Sequence, residues 1–251
     1  MRTWMTLVRR ELGGYFVSWI GYVVIAVVVF LLGLSFAILV QLMNAETSEQ
    51  PLTELFYETP FFWLIVLLAS PVITMRSFAH EKFSGTFETL MTAPVSDLQV
   101  VLAKFTGAMI FYLLAWSPLA ACILILRHFS EVPLPLDVGA LCSTFLGITL
   151  LGGLYMSVGC FTSSLTRNQI IAAMFSLAFG ISLFLLSFLS RALAAQTGWV
   201  AKWVAQLSLI EHMRDFARGV VDVRPLVFFV SLTALFLFLT LKAVESRRWK
   251  Q

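Results

Sequence analysis

Residues 17–40 read VSWIGYVVIAVVVFLLGLSFAILV, a run with no Asp, Glu, Lys, Arg or His. Wound as a helix at about 1.5 Å per residue, it is roughly 36 Å long, enough to cross the ~30 Å hydrocarbon core of a bilayer. A helix also satisfies its own backbone groups where no water can, so this run predicts a transmembrane span. Five more apolar runs follow at 61–75, 101–126, 138–161, 170–189 and 226–241. The second is short and carries Pro71.

Composition agrees with this reading. The chain is 59% apolar and only 12% charged, with a mean hydropathy of +0.90, which excludes an ordinary water-soluble domain. Residues 1–16 have the charged start of a signal peptide, but the apolar run after Arg9 and Arg10 is too long and no small-x-small site follows. Trp4, Leu7, Val8 and Leu12 recur at helical spacing beside Arg2, Arg9 and Arg10, predicting an amphipathic interfacial helix ahead of span one.

Basic residues set the orientation. With the N-terminus inside, Arg2, Arg9, Arg10, Arg76, Lys82, Lys104, Arg167, Lys242, Arg247, Arg248 and Lys250 fall on the cytoplasmic side, while the first outer loop carries Glu46, Glu49, Glu54 and Glu58 and no base. Both termini are therefore expected in the cytoplasm. Residues 190–224 conflict with this, holding Arg191, Lys202, Arg214, Arg218 and Arg224 on the outside by parity. Trp199, Trp203 and Leu207, then Ile210, Met213, Phe216 and Val220, recur at helical spacing, which predicts two short external amphipathic or re-entrant helices before span six. Glu211, Arg214, Asp215 and Arg218 are spaced for local pairing. The alternative makes one apolar stretch a hairpin and turns this loop inward.

The inner connection at 76–97, RSFAHEKFSGTFETLMTAPVSD, reads as ordered structure. Ser84 offers an N-cap to a short helix over 86–91, Pro94 stops it, and Ser96 with Gln99 forms a capping box that opens span three. Glu81, Lys82, Thr86 and Glu88 are expected on its surface, with Phe83, Phe87 and Leu90 available to dock in a groove. The residues leave two roles open: contact with a cytoplasmic partner, or packing against the inner ends of the spans. At 163–169, Thr166 and Gln169 make a second capping box, opening span five.

Enzymatic signatures are missing. No G-x-x-x-x-G-K-[ST] phosphate loop occurs; His80, His128 and His212 lack metal-ligand spacing; and no serine has a His and carboxylate near it in the topology. No catalytic, cofactor or metal residue is expected. Cys122, Cys142 and Cys160 lie in predicted spans without CxxC spacing and read as small buried hydrophobes. Span four carries small residues at four-residue spacing, Ser143 with Gly147, Thr149 with Gly153 and Gly153 with Ser157, either for close packing or for a dimer face. No ionisable residue lies at mid-span, which weighs against a proton-coupled carrier.

The inner loop closely resembles the signature of ABC-2 type permeases, particularly the gliding-motility-associated subgroup: Thr74 to Arg76, Phe78 and Ala79, Glu81 and Lys82, Ser84 to Thr86, Glu88, Leu90 and Pro94. RRELGGYF at 9–16, SSLTRNQI at 163–170, EHMRDFARGVVD at 211–222 and ESRRW at 245–249 extend the likeness over nearly the whole chain, so 1–251 is expected to be one permease domain with no internal repeat. His80 stands where these permeases more often carry an acidic residue. The resemblance implies a six-span permease of an ATP-binding cassette exporter in a bacterial inner membrane. It makes the loop a coupling helix for a separate ATPase, through Glu81, Lys82, Phe83, Thr86, Phe87 and Glu88. A secondary inner contact falls at Thr166, Arg167 and Asn168. It further implies two ATPase copies, which carry the ATP, and a second permease copy or paralogue; lipid is expected around the chain and no nucleic acid. The competing function is a non-transporting membrane anchor or scaffold of a motility or envelope machine.

Overall fold

The computed structural model describes residues 2–45, 52–92, 95–129, 138–193 and 206–246, and among these every regular element is a helix. In chain order they are α1 (Arg2–Val17), α2 (Trp19–Ala45), α3 (Leu52–Glu58), α4 (Pro60–Thr74), α5 (Ala79–Ser84), α6 (Thr86–Thr92), α7 (Asp97–Phe129), α8 (Val138–Leu165), α9 (Gln169–Leu193), α10 (Leu209–Ala217) and α11 (Val223–Glu245). Six of them, α2, α4, α7, α8, α9 and α11, are long and apolar enough to cross a membrane, α4 when counted with the turn and α5 that continue it. The chain is an all-helical, multi-pass membrane protein. Trp199, Lys202, Trp203 and Pro94, together with Glu46, Glu49, Arg247, Arg248 and Lys250, lie outside the described residues.

The short second span has a physical reason. At 15 residues α4 rises only about 22 Å, and Thr59 joins it to α3, whose Thr53, Glu54, Phe56 and Tyr57 are buried in the bundle. The backbone at that depth is thus covered by protein rather than lipid, the condition under which interrupted helices are tolerated in membranes. Glu54, expected in an open acidic loop, is instead almost wholly buried.

The small residues of α8 are consumed inside the protomer. A methyl group at Gly147 would crowd Phe216 of α10, at Gly152 it would strike the Tyr112 ring of α7, and at Gly159 it would strike Thr74 of α4. Ser143, Gly147, Gly153 and Ser157 are all buried and Thr149 is partly so, so the stripe serves close packing between neighbouring helices of one chain rather than a dimer face. Exposed apolar side chains concentrate instead on α2, α9 and α11, among them Phe30, Met174, Phe175, Val227 and Phe238. Cys160 is buried, whereas Cys122 is half-buried and Cys142 exposed, so only the first fits the expectation of a buried hydrophobe.

α10 packs on α3, α8 and α9 at the end of the bundle opposite the termini. Ser208 caps it, accepting from the Glu211 N–H at 3.4 Å. Its buried face is Leu209, Met213, Phe216 and Ala217; Ile210 is only partly buried and Val220 is exposed beyond the helix end, so the expected apolar stripe is rotated. Gly219, at φ 82°, closes it: Gly219 N–H bonds Phe216 O and Val220 N–H bonds Asp215 O, a Schellman pattern that favours Gly at this position. Six helices long and apolar enough to cross a membrane, α4 counted with its continuation, favour the first reading of this segment over the hairpin alternative.

Candidate coupling site and the ion network beneath it

The site is built where α4 leaves the bundle. Ser163 Oγ, near the end of α8, accepts the Phe78 and Ala79 N–H groups at 3.1 Å each and donates to Met75 O at 3.1 Å. One hydroxyl thereby satisfies two orphan amides at the start of α5 and one carbonyl at the end of α4. Three residues into α5, Lys82 Nζ donates to Ser164 O, placing a cation on the carbonyl end of α8, where the helix dipole favours it. The same ammonium lies 5.2 Å from the Phe87 ring centre.

Glu81 turns the other way, towards α1 and α7. Its Oε1 lies 3.1 Å from Arg10 and 2.9 Å from Lys104. Glu11 Oε1 is held by the same two cations at 2.8 and 3.1 Å. Lys104 is the centre of this network: its side chain is 2% exposed and its ammonium sits 5.3 Å from the Phe78 ring centre. Burial alone would raise the Glu11 pKa, but Lys104 and Arg10 override it and hold the carboxyl below its ordinary value. Burial opposes the Arg10 charge, and Glu11 and Glu81 overcome that and raise its pKa. A buried pair survives this desolvation only with several partners.

The helix expected over 86–91 is α6, and an unexpected second helix, α5, precedes it. Ser84 ends α5 instead of capping α6, and Gly85, at φ 75°, turns the chain between them. This turn splits the expected contact residues by direction. Phe83 (76% exposed), Thr86 and Glu88 face outward. Lys82 and Phe87, expected on the partner-facing surface, are buried with Leu90, and Glu81 is largely enclosed by the ion network. The capping box of α7 is as expected, with Gln99 N–H to Ser96 Oγ at 3.3 Å and Ser96 N–H to Gln99 Oε1 at 3.4 Å. At the start of α9 the cap is different: Asn168 Oδ1, not Thr166, accepts the Ile170 N–H at 2.9 Å, while Thr166 Oγ1 accepts the Asn168 N–H at 3.1 Å.

The two sets of expected residues meet on one surface. Lys82 reaches Ser164, and His80 Nδ1 lies 3.0 Å from Gln169 Nε2, so Thr166, Arg167 and Asn168 sit beside α5. Sequence reading counted Arg10 and Lys104 only as topological charge and gave Glu11 no role. The available signal was Lys104 itself, a lone ammonium among apolar residues early in a span, which needs a partner. Between α1, α2, α4 and α7 the network borders a cavity of about 250 Å³ with Arg76, His80 and Gly14 in its wall.

Six candidate membrane-spanning helices with a short, tied-down helix pair at one end define a multi-pass membrane domain. Residues 34–242 match the model of the ABC-2 family transporter proteins. The chain belongs to that family: it is a transmembrane permease of an ABC transporter, a class that works with an ABC ATPase. A search of curated proteins gave no significant match. The match begins within α2, so α1 and its part of the ion network lie outside it.

Proposed function

We propose that this permease is an exporter subunit of the gliding-motility-associated subgroup, driven through the α5–α6 loop by a separate ABC ATPase. Phe83, Thr86 and Glu88, with Arg167 and Asn168 beside them, form the surface an ATPase touches. Glu81, Lys82 and Phe87 lie beneath that surface and pass displacement to the spans. The observation that carries this reading is the splitting of one short loop. Its outer side is exposed, while its inner side is bonded to α1, α7, α8 and α9 through Glu81, Ser163, Lys82 and His80.

The working unit pairs two ATPase copies with this permease and a second copy or paralogue, in a bacterial inner membrane with the loop and both termini cytoplasmic. The basic residues Arg9, Arg10, Arg76 and Arg167 at that end support this orientation. ATP is bound and hydrolysed by the partner; this chain carries no cofactor and catalyses nothing. The subgroup is supported by the sequence likeness at 9–16, 163–170 and 211–222.

The test is ATPase stimulation in liposomes containing this permease and its partner. Phe83→Ala removes an exposed ring, so the permease is expected to insert and unfold as the parent does, within about 0.5 kcal/mol, while stimulation falls severalfold. Full stimulation in that variant and in Glu88→Lys removes the loop from the contact. Partner binding without any response to cargo makes the chain an anchor.

A further inference from the structure

Of the two carboxylates in the inner ion network, one stands on a long, packed helix and the other on a short one. Glu11 is anchored with α1: a Cβ added at Gly107 would lie 2.9 Å from the Glu11 Cβ, so α1 and α7 touch at this level. One turn on, the Tyr15 ring stacks on Phe111 at 4.8 Å and its hydroxyl donates to Ile73 O at 3.2 Å. Glu81 stands on α5, a helix of 6 residues closed by Gly85 at φ 75°. Phe83 and Ser84, just beyond it, are exposed.

The two cations differ as well. Arg10 is half exposed and can be solvated by water, whereas Lys104 is buried. A buried ammonium is tolerated only while a carboxylate faces it. Both cations reach the same oxygen, Oε1, on Glu11 and on Glu81, so the two carboxylates crowd shared partners and repel each other across them. Withdrawal of Glu81 relieves that repulsion and leaves Lys104 paired with Glu11. With no charge at position 11, the same withdrawal relieves nothing and strands Lys104. On its other side α5 is tied by the Ser163 hydroxyl and by Lys82 on Ser164 O. Lys82 travels with α5, so its charge meets water when that bond parts.

We propose that Glu11 is a positioning residue for α5: it keeps the Lys104 ammonium paired while Glu81 leaves, and so makes the Glu81 contact reversible. The inner network is a release catch with two positions, Glu81 engaged or withdrawn, and Glu11 stays on Lys104 in both. α1, which lies ahead of the family match at 34–242, thereby sets how readily the α5–α6 loop comes away from the bundle. This release needs no ATPase, so it and the coupling reading fail separately.

The experiment is hydrogen–deuterium exchange of the full chain in detergent, read by mass spectrometry on a peptide spanning α5. Times are kept short enough that α8 stays protected, so that local opening alone is measured. Glu11→Gln keeps the shape of the side chain and removes its charge. It should slow α5 exchange about threefold or more, the low end of couplings within one ion network. A residue that merely held the structure together would speed it when replaced. In a Glu81→Gln background Glu11→Gln should no longer slow α5, since no second carboxylate is left to repel. Glu11→Asp draws the charge back toward α1 and should slow α5 by a smaller factor, which carries the test where Glu11→Gln does not fold. Unchanged or faster α5 exchange in the variant that folds, or slowing of equal size with and without the Glu81 charge, overturns the proposal.

Discussion

Both ends of the bundle are held by buried ion clusters, and the two are built differently. At the end opposite the termini one carboxylate serves two cations: Arg218 grips Glu54 with Nε to Oε2 at 2.9 Å and Nη2 to Oε1 at 2.7 Å, and Arg214 Nε lies 3.3 Å from Oε1. Around it Thr53 Oγ1 donates to Ala217 O and Ser143 Oγ to Phe216 O, each at 2.6 Å, so the last carbonyls of α10 are tied to α3 and α8. At the terminal end two carboxylates share two cations across α1, α5 and α7. The first cluster fastens a short helix over the bundle with fork geometry that tolerates little displacement. The second joins a loop exposed on its other side to two helices through single, longer-reaching side chains. A clamp suits a part that stays closed and a shared network suits a part that transmits movement.

That contrast is breakable. The largest effect is expected from Glu54→Ala, which removes the buried carboxylate that two half-exposed arginines share. Water takes over part of the lost pairing, so the loss is expected at about 3 kcal/mol, the low end for a buried pair. It is read as a lowered thermal-unfolding midpoint in detergent, and a loss below about 1 kcal/mol would show that the outer cluster is no clamp. Lys104→Met comes next: it leaves Glu11 and Glu81 facing each other with only Arg10 between them, and is expected to cost about 2–3 kcal/mol and to raise hydrogen exchange in α1 and α5 while α10 stays protected. Spread of that exchange to α10 would mean the two ends are one cooperative unit.

Smaller effects sharpen the comparison. Because Glu11 titrates below its ordinary value of 4.5, the stabilisation it brings is complete above that value. It is lost as pH falls through the lowered folded value. Acidification below about pH 4.5 should therefore lower the unfolding midpoint more in the parent than in Glu11→Gln, and equal slopes would refute the pairing. Arg10→Ala should cost least, about 1 kcal/mol or under, since its side chain is half exposed and screened by water.

Much of the framework was legible before any coordinates. The six spans follow from apolar runs of the right length, and the α7 capping box from two residues three apart, because both depend on groups near in sequence. α6 begins at Thr86 as expected, but Ser84 ends α5 rather than capping α6: Gly85 was the better signal, since a residue at positive φ separates helices. The surface of the α5–α6 loop was harder, because Lys82 looks like any solvated lysine until the carbonyl end of α8 is set above it. The Arg-rich segment before span six conflicts with its expected side by charge counting, and the partner that Arg214 and Arg218 find, Glu54, lies 164 residues from Arg218, beyond the reach of any local pattern.

By itself the sequence determined that this chain crosses a membrane six times, where those crossings fall, and which loop stands out. Each is a matter of local hydropathy and capping, decided within a few turns of helix. Tertiary structure alone decided which side of the loop faces out, that α8 spends its small residues on Tyr112, Thr74 and Phe216, and that Lys104 holds Glu11 and Glu81 together. A charge's partner and a glycine's neighbour are set by elements distant in the chain, and no local pattern carries their address.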